Sequence, residues 1–545
     1  MGANRGRWLT GRVLGRHGMR APRGAGLMNE TSSNERLAPV LAPFTPDKPG
    51  LAALVSVGGE VVFERYLGGA DLEHGVPVTA ATRFHVASVS KQFTALAVLL
   101  EAEAGRVDLG ADIHDYLPEL ADYGATLTVS DLVHHTGGLR DQWELMMLSG
   151  TPIDGLIRQS AIVAMAASQQ GLNFPPGTDF RYSNTGYSLL AEIVARTSAT
   201  PFARYLADAV FTPLGMRDTL VYGDASKLLP GRAMSYRVGA DGTVDLARLN
   251  YSNYGATSLH TTPRDLARWA RELLHPSVLA PDLIARMTTP GRLRDGTPLI
   301  YGFGIMRDIL GGRPALTHGG ADAGFRAAFN CFPSDDAVVI VCSNGGADVG
   351  AIAQSLADAL LGSTPYPAGG APDPATLAGL AGYYVTGWGP GLTLEAADGK
   401  LMASLGGGAR IEAKFLPGGE FYLYAPTSRF SAKPKGDLAE RQAVGGLELL
   451  YTRSERAAPT KAELASLAGR YHSDEIDSTY QLAATQTGLT VSCLRFPPTD
   501  LTPADQDSFD GPFARLTIVR DAGGAPTGFT VSTGRVRGLR FRRIA

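Results

Sequence analysis

Cysteine is nearly absent: only Cys331, Cys342 and Cys493 occur in a chain of 545 residues. None falls in a Cys-x-x-Cys pair, which excludes a zinc knuckle and a disulfide framework, so each is expected as a small buried apolar residue. No metal and no cofactor is expected. Charge of one sign is lacking as well. Fifty Lys and Arg stand against 53 Asp and Glu, a formal charge of -3, so nothing marks the chain for nucleic acid. No apolar run approaches the roughly 20 residues of a membrane span, so no membrane partner is expected. The first 28 residues carry six arginines and no acid, yet no apolar segment of about 7–15 residues follows as in a secretory leader. Residues 1–38 are therefore expected as a disordered tail, with Met28 as the natural start and the cytoplasm as the location.

Hydrophobic residues make up 44% and charged residues 19%, an ordinary balance for a soluble globular chain. The length exceeds what one core supports, so several domains are expected. Leu51–Val57, Gly58-Gly59 and residues 60–66 read as a hairpin with a two-residue turn. Thr128 to His134 reads as a short capped helix. Tyr187 to Arg196, Phe202 to Val210 and Pro263 to Leu274 read as further helices, the last with Thr262 as cap and Pro263 in its first turn. Pro298 to Met306, Ala315 to His318, Phe325 to Phe332 and Ala337 to Cys342 read as strands, closed by a helix over Val349–Leu361. Two strands early, several late and helices between them predict one α+β unit over 39–362, an antiparallel sheet with a helical insertion.

Residues 363–375 are a linker by composition. Beyond it helical periodicity is scarce, and Leu377-Ala-Gly-Leu-Ala-Gly-Tyr-Tyr384 is echoed by Leu464-Ala-Ser-Leu-Ala-Gly-Arg-Tyr471. Two strand-rich copies, 376–456 and 461–545, predict two small antiparallel β-barrels, which leave no sheet edge open.

Three constellations carry chemistry. Ser88-Val-Ser-Lys91 opens an apolar, Gly-free helix, and three positions along a helix place Ser88 and Lys91 on one face. A serine hydroxyl becomes a useful nucleophile when a neighbour takes its proton, and a lysine does so when desolvation lowers its pKa. Tyr182-Ser-Asn184, after Pro175-Pro-Gly177 and before a helix, offers a phenol to carry a proton and an amide to hold a carbonyl. Tyr251-Ser-Asn253 repeats the pattern but lacks that approach and that helix, so the Tyr182 loop is preferred. His318-Gly319-Gly320 ends a strand-like run where glycines let the backbone come close to a ligand.

These motifs occur in order with His135-Thr-Gly-Gly-Leu139, Pro213-Leu-Gly-Met216 and Tyr301-Gly-Phe-Gly304. Together they resemble the penicillin-recognising serine hydrolases, which include class C β-lactamases, D-Ala-D-Ala carboxypeptidases and related esterases. The two C-terminal barrels make the layout similar to the D-stereospecific aminopeptidases of that clan. The resemblance implies Ser88 as the acylated nucleophile, Lys91 as its activator, Tyr182 as general base or proton shuttle and Asn184 as the ligand of the substrate amide. It implies the backbone N–H groups of Ser88 and Ala321 as an oxyanion hole, with Gly319 and Gly320 beside it. His318 stands where antibiotic-hydrolysing relatives carry lysine, so β-lactam hydrolysis is put in doubt.

The expected activity is release of N-terminal D-residues from small peptides, amides or esters, with a homodimer as the assembly. A D,D-carboxypeptidase, esterase or β-lactamase is the alternative, and a non-catalytic sensor or scaffold is the third reading. For an aminopeptidase, a carboxylate on a loop of the last barrel is expected to hold the substrate's ammonium. Asp505 and Asp507 are the candidates, with Phe509 anchoring the loop.

Overall fold

The computed structural model describes residues 37–362, 369–370, 372–424, 427–493 and 496–544. Met28, most of the expected linker and all of the expected tail but Leu37 and Ala38 lie outside these residues; those two are helical, and Leu37 is buried in the core of the first unit.

The first unit is built on a six-stranded antiparallel sheet in the order Met306–Leu310, Arg313–Asp322, Phe325–Phe332, Ala337–Ser343, Leu51–Val57, Glu60–Leu67. Strand alternation sends every second side chain to each face. Leu51, Ala53, Val55, Val339 and Val341 pack with the Val349–Leu361 helix. Ala52, Val338, Ile340 and Cys342 face a larger core shared with the helices Ser90–Glu103, Asn184–Thr197 and Pro263–Leu274. The sheet is thus covered on both sides, and the helical insertion rests on one of them. The early hairpin turns through Gly58 and Gly59, both at positive φ, the backbone that a two-residue turn demands. Thr262 caps the Pro263–Leu274 helix by accepting from Asp265 N.

One strand differs from expectation. Residues 298–305 form a loop, and the strand begins at Met306, because Gly302 N closes a tight turn onto Ile305 O at 2.8 Å. Cys331 and Cys342 are buried, whereas Cys493 is half-buried.

The next unit is a nine-stranded sheet whose outermost strands, Ile411–Glu412 and Lys414–Phe415, are neighbours in sequence across Ala413, so it nearly closes on itself. The last unit, Gly469–Ser473 through Leu539–Arg543, is a closed eight-stranded barrel. The repeat has a physical basis. In each copy a short helix, Pro374–Leu380 or Lys461–Ser466, leads into the first strand. A tyrosine of that strand then donates back to a carbonyl four residues earlier, Tyr384 to Leu380 O at 2.7 Å and Tyr471 to Leu467 O at 2.8 Å.

The last barrel is not an appendage. Its core includes Leu145 and Leu148 of the first unit's Gln142–Ser149 helix. A buried ion pair, Arg140 to Glu475 at 2.5 Å, crosses the same boundary. Among the described residues no helix is long and apolar enough to cross a membrane.

Candidate active site

Ser88 sits in a single 3-10 turn, Ala87–Val89, directly before the Ser90–Glu103 helix. Ala87 is held at φ +46°, a strained backbone that a surrounding structure must enforce. Ser90 does so by donating to Ala87 O at 2.5 Å while accepting from Leu259 N at 3.1 Å. The free edge of the Arg313–Asp322 strand passes alongside. A Cβ at Gly320 would stand 2.2 Å from Val86 O, so only glycine lets strand and turn meet.

Lys91 is fully buried one turn past Ser88. Its Nζ lies 3.1 Å from Ser88 Oγ, 2.7 Å from Asn184 Oδ1 and 2.8 Å from Ala256 O. Burial pushes its pKa down to about 7; Asp322 and Asp141 oppose the shift and Arg535 adds to it. The two carbonyl oxygens can only accept, so when the amine is neutral they take its two hydrogens. Its lone pair is left facing the serine hydroxyl.

Asn184 opens its helix behind the Ser183 cap. Its Oδ1 accepts from Lys91, while its Nδ2 and backbone N both donate to Asp141 Oδ2 at 2.7 Å. Most of the amide is thus engaged in fixing Lys91, with one Nδ2 hydrogen left over. The Tyr182 ring lies 4.8 Å from Lys91 Nζ. Burial pushes its phenol pKa upward, against a smaller opposing effect of Ser88. Its hydroxyl is buried and makes no geometrically sound hydrogen bond. The phenol is therefore held in its neutral form.

His318 donates Nδ1–H to Gly319 O at 2.6 Å, which leaves Nε2 to accept from Tyr301 at 3.0 Å. Burial, and then the charge of Lys91, hold its pKa down to about 3. An uncharged imidazole cannot anchor a carboxylate as a lysine there would. Gly319 and Ala321 are exposed.

Asp505 and Asp507 are not brought to this cleft. Asp507 pairs with Arg520 at 2.6 Å and Asp505 with Arg515 at 3.7 Å. Connections in an up-and-down barrel alternate between its two ends. Residues 504–507 join the fourth strand to the fifth, whereas Glu475 and residues 533–538 join the first to the second and the seventh to the eighth. The odd connections face the catalytic unit, and the Asp505 turn is at the other end. Phe509 is buried in the barrel core as expected.

The loop that does reach Ser88's neighbours carries Arg535. Its guanidinium lies 5.1 Å from the Tyr182 ring centroid and 4.0 Å from Asp141 Oδ2. Its backbone is pinned: the N donates to Glu144 Oε2 at 2.7 Å, and the O accepts from Asn173 Nδ2 at 2.9 Å. Sequence reasoning missed Arg535 and Asp141. Asp141 had a local signal, because it caps the Gln142–Ser149 helix; Arg535 sits in an ordinary-looking turn.

A model of the β-lactamase family matches residues 39–362. The chain belongs to the β-lactamase family. Within it, the chain is similar to a D-aminopeptidase of Gluconobacter oxydans, 30% identical over 441 residues, 79% of this chain and 80% of that protein. A D-aminopeptidase of Brucella ovis is 27% identical over 526 residues, 91% of this chain and 96% of its own length. Among solved structures, the octameric penicillin-binding protein homologue from Pyrococcus abyssi superposes with a TM-score of 0.57. It is 20% identical and covers 78% of this chain and 100% of its own. D-amino acid amidase from Ochrobactrum anthropi, complexed with L-phenylalanine amide, gives a TM-score of 0.51 at 24% identity, covering 61% and 99%. These likenesses share the β-lactamase-like fold, and membership of the family makes the chain a serine hydrolase.

Proposed function

We propose that this chain is an aminopeptidase that releases N-terminal D-residues through an acyl-enzyme on Ser88. The observation that carries the chemistry is the set of three partners around Lys91 Nζ, which suits a neutral amine poised to accept the Ser88 proton. Ser88 Oγ attacks the substrate carbonyl as its proton moves to Lys91. The N–H groups of Ser88 and Ala321 stabilise the oxyanion, with Gly320 keeping that strand against the turn and the exposed Gly319 leaving room for substrate. Tyr182 relays the proton to the departing amine, the C–N bond breaks, and a water then hydrolyses the ester by the reverse relay. Asn184 orients Lys91 and offers its remaining hydrogen to the substrate. The D-residue preference rests on the D-aminopeptidases that align over most of the chain.

One observation favours a second reading, a carboxypeptidase: Arg535 places a cation beside Tyr182, where a substrate carboxylate would bind. Kinetics on D-alanine p-nitroanilide, N-acetyl-D-Ala-D-Ala and nitrocefin decide between them. The aminopeptidase reading expects turnover of the free-amine anilide and little of the blocked dipeptide or the β-lactam; the reverse order overturns it. Ser88→Ala should lower kcat by on the order of 10⁴-fold or more and abolish labelling by a fluorophosphonate probe.

A further inference from the structure

A free N-terminal ammonium needs a carboxylate within reach of the nucleophile. Three carboxylates surround the site. Asp141 is fully buried, with Oδ1 accepting from Trp143 N and Oδ2 from both nitrogens of Asn184. Glu144 holds the Arg535 loop through Thr533 and Arg535 N, and burial pushes its carboxyl upward. Both are committed to the framework.

Asp322 differs. Its side chain keeps 13% of its surface exposed. Oδ2 accepts from Thr257 and contacts His85 Nε2 at 2.9 Å, while Oδ1 makes no hydrogen bond among the described residues. The residue is placed by the catalytic turn itself. It follows Ala321 in the strand, His85 lies three residues before Ser88, and Thr257 follows Ala256, whose carbonyl holds Lys91. It opens onto a cavity of about 240 Å³ lined by Trp143, Tyr251, Ala321 and Arg326, among others. Trp143 and Tyr251 stack there with centroids 4.8 Å apart, and aromatic faces attract cations. Arg326, the cation at this rim, donates to Ala323 O and Phe325 O and makes no ion pair with Asp322.

We propose that Asp322 Oδ1 binds the α-ammonium of the residue whose carbonyl Ser88 attacks, and that the cavity beside Trp143 and Tyr251 takes that residue's side chain. The substrates are then short D-aminoacyl amides, esters or peptides with an unblocked amine. This rests on the aminopeptidase reading and adds the residue that enforces a free amine, in place of the distant Asp505 and Asp507.

The test compares kcat/KM for D-phenylalanine p-nitroanilide and its des-amino analogue, 3-phenylpropionyl p-nitroanilide, in the full chain and in Asp322→Asn. Asparagine keeps an acceptor for Thr257, and the melting temperature checks folding; Asp322→Ser is the reserve variant. The wild type should favour the amine by well over tenfold. Asp322→Asn should cut that ratio by about tenfold or more, chiefly through KM, and Asp322→Glu should restore part of it. An unchanged ratio in Asp322→Asn overturns the assignment. The L-anilide, read in the wild type, tests the D-aminopeptidase reading separately. Should the wild type cleave no anilide, that reading falls, and protection of Ser88 from a fluorophosphonate by benzylammonium against benzyl alcohol still decides the site. Selective protection lost in Asp322→Asn supports the ammonium site; equal protection in both proteins removes it.

Discussion

Tyr182-Ser183-Asn184 and Tyr251-Ser252-Asn253 are the same three residues in two loops of one cleft. In the first, Ser183 caps a 14-residue helix, and that helix start aims Asn184 at Lys91. In the second, Tyr251-Ser252 is a short strand paired with Ile157-Arg158, and Ser252 is occupied by Ala225 N. Asn253 is buried with no hydrogen bond to its side chain, and the segment instead presents a backbone carbonyl, Ala256 O, to Lys91. In the proposed mechanism one loop supplies reacting side chains; the other supplies a wall and a carbonyl. Identical residues do different work because one triplet runs into a helix and the other into a loop.

The largest expected effect separates the two directly. Tyr182→Phe removes the proton carrier and keeps the ring, so kcat should fall about a hundredfold with KM little moved. Tyr251→Ala removes a stacked wall, so KM for D-phenylalanine p-nitroanilide should rise about tenfold, with kcat changed by less. Equal losses of kcat in both variants would erase the distinction between the loops. The smallest effect concerns pH. Lys91 must be neutral to accept a proton, so kcat/KM should rise with pH through about 7. The Arg535 charge disfavours the ammonium form of Lys91; Arg535→Gln therefore raises the Lys91 pKa and moves this limb to higher pH. A limb that stays or moves down would detach Arg535 from the catalytic amine.

Much of the architecture was legible because it is written in local chemistry. Gly58-Gly59 dictates a hairpin, Thr262-Pro263 dictates a helix start, and the repeated Leu-Ala-x-Leu-Ala-Gly-x-Tyr becomes a helix, a strand and a tyrosine bonded back across them. Ser88, Lys91, Tyr182, Asn184 and His318 share one cleft, and their spacing against turns and helix starts suggested as much. The helices Gln142–Ser149 and Gln159–Ser168 were missed, since both are short, 8 and 10 residues, and their sequences carry little amphipathic pattern. The choice of Asp505 and Asp507 failed for a topological reason. A loop's charge says nothing about which end of a barrel it occupies, and counting strands from Gly469 would have placed that turn away from Ser88. Arg535 and Asp322 acquire meaning only through contacts far along the chain.

The Arg535 loop also sets an order of events. During synthesis Ser88, Lys91 and Tyr182 leave the ribosome long before residues 533–537, yet Glu144 and Asn173 wait for that loop to satisfy them. The pocket around Lys91 is closed by first-unit groups, Ser88, Asn184 and Ala256, whereas the charge beside Tyr182 and Asp141 is delivered by the last stretch of chain to be made.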